Sequence, residues 1–163
     1  MRRSLYWAPI AATIIMAGAG GAVSAKPAAK ASQAVVRAAI DSHYARYRTL
    51  ADQPSLPSAS LPYSAELKQL LDRAGGNPDY DGFCQCQDYD EKRFTYSIRK
   101  LSLNGDRATA DIRVSAMAGH RGKVRLLLLC SPDGIWQLDD MIDEEGSLKS
   151  RARSATPGDW GSE

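Results

Sequence analysis

Residues 94–130 read FTYSIRKLSLNGDRATADIRVSAMAGHRGKVRLLLLC, and the rhythm of this stretch decides the fold. Phe94, Tyr96 and Ile98 alternate with polar residues on the way to the turn Asn104-Gly105-Asp106. Beyond the turn, Ala108, Ala110, Ile112, Val114 and Ala116 fall on one side of an extended chain. Thr109, Asp111, Arg113 and Ser115 fall on the other. A period of two on both sides of an Asn-Gly pair predicts a β-hairpin, because Asn and Gly tolerate the left-handed positions of a tight turn. Gly119–Gly122 makes a second turn, before Val124, Leu126, Leu128 and Cys130, and Ser131-Pro132-Asp133-Gly134 makes a third. Ile135–Ile142 then supplies a last strand. About four strands in an antiparallel meander are expected.

Upstream, the period is helical. Ser32 is placed to cap a helix running to about Leu50, with Val36, Ile40, His43, Tyr47 and Leu50 at steps of three and four. Asp52–Pro62, rich in Pro and Ser, reads as a loop. A shorter helix follows Ser64 on Leu67, Leu70 and Leu71, and Gly75-Gly76 ends it. Two amphipathic helices ahead of a meander with one apolar face make an α+β domain, the helices packing on a curved sheet. That single domain spans 32–149. Residues 150–163 are polar and bear Gly and Pro, which predicts a disordered tail.

The first 25 residues carry an address. Arg2 and Arg3 precede an apolar run from Leu5 to Ala17, and Val23-Ser24-Ala25 puts small residues where signal peptidase cuts. Cleavage after Ala25 predicts export to the periplasm, with 26–31 as a linker and 138 residues beyond Ala25. No later run is apolar enough to span a bilayer. Of 21 Lys+Arg, two lie in this leader; the remaining 19 balance 19 Asp+Glu. The net charge beyond the leader is therefore zero, without the basic footprint of a nucleic-acid binder.

Several segments occur in the order found in a known bacterial family. They are Tyr44-Ala-Arg-Tyr47, Ser64-Ala-Glu-Leu67, Cys86-Gln-Asp-Tyr89 and Trp136-Gln-Leu-Asp-Asp-Met141. In this the chain resembles the three-eight-two-eight family of domains of unknown function, found in exported envelope proteins, from about Val35 to Leu148. The resemblance implies the cystatin-like cone of the nuclear-transport-factor-two superfamily. It implies no activity.

Asp140 stands out in the last strand. On strict alternation it shares a face with Trp136, Leu138 and Ile142, and a carboxylate there needs hydrogen bonds to remain charged. Either it ties down backbone amides of the Cys84–Tyr89 loop, or it floors a pocket below the first helix. His43, Tyr44, Tyr47, Asp88, Trp136 and Asp140 are the candidate lining of that pocket. A His43–Asp140 pair could move a proton at neutral pH. With only His43 and His120 present, no multi-histidine metal cluster forms, and no phosphate loop, nucleotide fingerprint or Gly-x-Ser-x-Gly appears. No catalytic residue, metal or cofactor is therefore assigned.

Three cysteines in an oxidising compartment predict a disulfide joining Cys130 to Cys84 or Cys86. Closing that ~45-residue loop would contribute about 4 kcal/mol in the chain-entropy model. Three thiols as soft ligands for copper or zinc are the alternative reading. Finally, Arg113, Lys123 and Arg125 share a strand face with Leu127 and Leu129. This face is either a solvated charge ladder or a docking surface for a protein or a second subunit. The function expected is non-catalytic: binding a small ligand or an envelope protein in the helix–sheet pocket. The rivals are an interaction module of the immunity or assembly kind using the outer sheet face, and an enzyme built on His43 and Asp140.

Overall fold

The computed structural model describes residues 32–48, 61–78 and 81–160. The leader, the linker and most of the Pro-rich loop lie outside the described residues. Helix α1 spans Gln33–Ala45 and passes into a short 3-10 turn, Arg46–Arg48. The Ser32 hydroxyl accepts from the Val35 amide, as a capping serine should. Helix α2 is Ala65–Ala74, capped by Ser64 at one end and closed at the other by Gly75 at φ 104°. That left-handed conformation suits glycine.

Five strands follow: β1 Thr95–Asn104, β2 Arg107–Ser115, β3 Gly122–Cys130, β4 Trp136–Asp143 and β5 Gly146–Ser147. They form one open antiparallel sheet in the order β1-β2-β3-β4-β5, so chain order and spatial order agree. The architecture is α+β with an antiparallel meander, one short strand longer than expected. The predicted alternation holds in β2 and β3: Ala108, Ala110, Ile112, Val114, Val124, Leu126 and Leu128 are all buried. They form the core with Val36, Ile40 and Tyr44 of α1 and Leu67 and Leu71 of α2. Among the described residues no helix is long and apolar enough to cross a membrane.

Two expectations need correction. Residues from Ser150 onward are not all tail, because Leu148–Ser154 form a third helix, α3. Leu148 and Ala152, four residues apart, bury one side of it, and Ser147 caps it by accepting from the Ser150 amide. The chain then returns to α2, where the Trp160 amide donates to the Ala74 carbonyl at 2.7 Å.

The second correction lies in β4. Leu128 pairs with Leu138, yet Leu127 pairs with Asp140, so Asp139 is an extra residue. This β-bulge reverses the alternation. Met141, not Asp140, lies opposite Leu126 in the core, and Asp140 shares the outer face with Leu127. On its far side β4 is covered as well. Pro62 and Ser64 bond to both backbone groups of Leu138, and β5 pairs with Ile142 and Asp143.

Candidate functional site

The space between α1 and the sheet holds aromatic rings packed on one another. Tyr44 is fully buried, stacked on Tyr96 at 4.6 Å between ring centres, and its hydroxyl donates to the Phe83 carbonyl at 3.0 Å. Tyr47 stacks on Phe94 at 4.6 Å and donates to the Asp81 carboxylate. Burial raises the pKa of Asp81, against the hydrogen bonds from Tyr47 and the Phe83 amide that favour its charge. The phenol of Tyr47 is pushed far up, first by burial and then by Asp81. Sequence reasoning missed Asp81 as Tyr47's partner; the Asp81-Gly82 turn pair was its only mark.

His43 lies in the same layer, 4.0 Å from the Phe83 ring, and is 6% exposed. Neither ring nitrogen has a hydrogen-bond partner. Burial, with a smaller contribution from Arg46, lowers its pKa to about 4. A histidine in this setting stays neutral at neutral pH and fills space.

The six candidate pocket residues do not share one site. His43, Tyr44 and Tyr47 do pack together. Trp136 sits opposite Cys130, whereas Tyr44's stacking partner Tyr96 is in register with Val114 and Gly122. Cys130 and Gly122 are the two ends of β3, so the tryptophan and the tyrosines lie at opposite ends of the sheet. Asp88 is exposed.

Asp140 is buried, but its partners are not those expected. Its Oδ1 accepts from the Met141 amide at 2.8 Å and the Lys149 amide at 2.9 Å, and its Oδ2 from the Ser147 hydroxyl at 2.6 Å. The carboxylate thus ties the start of α3 to the bulge, not the Cys84–Tyr89 loop to the core. Beside it, the Lys149 ammonium donates to Asp139 and Glu66, each at 2.8 Å. Burial works against the Lys149 charge, yet these two carboxylates outweigh it and raise the pKa.

The predicted disulfide is also corrected. Cys84 is bonded to Cys86, and Cys130 is a free thiol. Geometry explains the choice. The Cys84–Cys86 loop docks through Gln85 on Lys123, at one end of β3, and Cys130 closes the other end. Seven residue steps along the strand separate them, roughly 24 Å at ~3.4 Å per step. A disulfide needs its Cα atoms within about 7 Å. Among the described residues no group of three or more His, Cys, Asp or Glu is arranged to hold a metal ion.

The outer face of the sheet is different in kind. Lys100, Arg107, Arg113, Lys123 and Arg125 are exposed there, with Leu127, Leu129 and Ile142 half-buried among them. Arg125 donates to Asp111 at 2.6 Å, which holds that carboxyl below its usual range. A groove of about 350 Å³ runs between Arg99, Arg113, Lys123, Arg125 and Ile142. A wider cleft of about 1050 Å³ opens at the other end of this face. Arg107, Leu129, Gln137, Asp139 and Lys149 contribute to its walls.

Comparison with known proteins gives a partial likeness. No protein-family profile matches the chain, and no curated protein matches it. Among solved structures, the chain is similar to one from the type VI effector–immunity complex Tae3–Tai3 of Ralstonia pickettii. The two are 23% identical, with a TM-score of 0.45, over 66% of this chain and 94% of that one.

Proposed function

We propose that this is an exported, non-catalytic protein-binding module that docks through the outer face of its sheet. The observation that carries the reading is that, among the described residues, no helix packs on that face over β1–β3. α1 and α2 pack on the opposite side, and α3 covers only the β4 edge. What is left uncovered mixes aliphatic side chains with arginine, which suits protein interfaces better than either feature alone. The helix–sheet space is by contrast filled with rings, which weighs against the small-ligand pocket. The separation of His43 from Asp140 weighs against the acid–base pair. Arg2-Arg3, the apolar run and Val23-Ser24-Ala25 support export, and the Cys84–Cys86 bond suits an oxidising compartment. The order of the four motifs supports a relationship to the three-eight-two-eight family, which adds setting but no activity.

Site-specific photo-crosslinking in producing cells tests the reading. A photoreactive residue at Leu129 should give one defined protein adduct, and one at Val35, exposed on α1, should not. Equal adducts at both positions, or none at Leu129, would overturn it. An adduct of twice the mass of the uncrosslinked protein in the same cells would make the partner a second copy.

A further inference from the structure

We infer that the partner presents an acidic protein surface to the outer face of β1–β3. This rests on the docking reading above and adds the chemistry of what docks. The strands of this face carry six cations, Arg99, Lys100, Arg107, Arg113, Lys123 and Arg125, against the carboxylate of Asp111, with Asp106 and Asp139 beside Arg107 at one end. The whole chain has a formal net charge of only +2. The excess is therefore segregated here, not inherited from a basic composition. Like charges on neighbouring strands disfavour the isolated fold, and a partner of opposite sign relieves that repulsion and steers the encounter.

The composition of the face narrows the partner further. Four of the six cations are arginines, whose planar forks match carboxylates, and Arg125 already donates through Nε to Asp111. Phosphates fit arginine equally well, so the rest of the surface must discriminate. Strands β1, β2 and β3 present no aromatic side chain on this side; Tyr96 faces the core. Stacking platforms for single-stranded nucleic acid are thus missing. Leu127 and Leu129 lie half-buried within the sheet surface instead of projecting as a membrane anchor would. A carboxylate-rich protein face with aliphatic contacts beside it fits both features. A second copy does not, since apposed faces would set six cations against six.

Fluorescent poly-L-glutamate is the probe, titrated onto the full exported chain and followed by anisotropy. Binding should weaken at least about tenfold in Arg113→Glu/Lys123→Glu, and again on raising NaCl from about 50 to 300 mM. Arg37→Glu/Lys92→Glu, on other surfaces, should change it less than about twofold. Arg113→Gln/Lys123→Gln, checked for an unchanged thermal melt, gives a smaller loss in the same direction and guards against misfolding of the reversal. The inference is overturned if poly-L-glutamate does not bind or if the control pair weakens it equally. It is overturned too if oligodeoxythymidylate or phosphatidylglycerol vesicles bind tighter through the same residues. Should Leu129 adducts form while poly-L-glutamate fails, the docking reading stands and the acidic partner falls.

Discussion

The side chain of Gln85 pairs with Lys123 as a neighbouring strand would. Its Oε1 accepts from the Lys123 amide at 2.9 Å, and its Nε2 donates to the Lys123 carbonyl at 3.0 Å. The last β3–β4 pair is Arg125 with Ile142, so Lys123 lies past the end of β4 and has no strand there. Gln85 holds φ at 52°, a left-handed conformation uncommon for a residue with a Cβ, between the two bonded cysteines. The short ring therefore presents the amide that finishes the sheet.

Gln85→Ala should cost about 1–2 kcal/mol in chemical denaturation, because two ladder groups lose their partner. Gln85→Gly should cost roughly 1 kcal/mol less than Ala, since glycine meets no penalty at positive φ. Under reducing conditions the Ala penalty should shrink. If the same penalty persists with Cys84 and Cys86 reduced, the ring does not position Gln85.

The cysteines make a second test. Peptide mapping without reductant should find Cys84 and Cys86 joined within one peptide and Cys130 alkylated alone. A three-residue loop contributes only about 1.6 kcal/mol in the chain-entropy model, against about 4 kcal/mol for the long loop expected from sequence. Cys130→Ser should accordingly cost about 1 kcal/mol or less, and a loss beyond about 2 kcal/mol would point back to a Cys130 staple.

How far the sequence could be read follows from the range of each interaction. The β1–β2 hairpin was legible because Asn104-Gly105 and the alternation through Ala116 are local signals that agree. α3 was hidden because composition over 150–163 is polar, although Ser147, Leu148 and Ala152 carry a cap and a four-residue apolar step. The bulge was hidden because Trp136, Leu138, Asp140 and Ile142 continue the alternation on paper. Only the pairing with β3 shows the extra residue. Within the site, the burial of His43 and Tyr47 followed from helical spacing. Their partners Asp81 and Phe83 come from a loop some forty residues away, which no local pattern reports.

Asp140 is a buried carboxylate on the outer face, and its three hydrogen bonds hold the start of α3 against the bulge. Asp140→Ala removes the acceptor of the Met141 and Lys149 amides and should destabilise by about 1–3 kcal/mol. Asp140→Asn keeps an oxygen for both amides and should cost less. A protease-sensitivity assay on the C-terminal segment should show α3 loosening in the Ala variant ahead of global unfolding. An Ala variant as stable as the parent would remove Asp140 from its anchoring role.

His43 gives the fold an acid limit. Its pKa in the folded chain is about 4, against an ordinary value of 6.5, because burial beside Phe83 disfavours the imidazolium. The unfolded chain therefore binds the proton more readily. Stability contributed by the neutral ring is fully present above pH 6.5, falls as pH drops toward 4, and levels off below that. The full loss is about 3 kcal/mol, from two and a half pKa units at 1.36 kcal/mol each. Asp81 acts with the opposite sign: its raised pKa favours the protonated carboxyl, so its contribution declines as pH rises through that value. The informative comparison is thus between parent and His43→Leu in the same buffers. Leucine removes two buried nitrogens that lack hydrogen bonds and should be neutral or stabilising at pH 7. Between pH 6.5 and 4 the variant should lose markedly less stability than the parent in urea titrations. Parallel curves for the two proteins would show that His43 titrates normally and that its burial does not govern the acid limit.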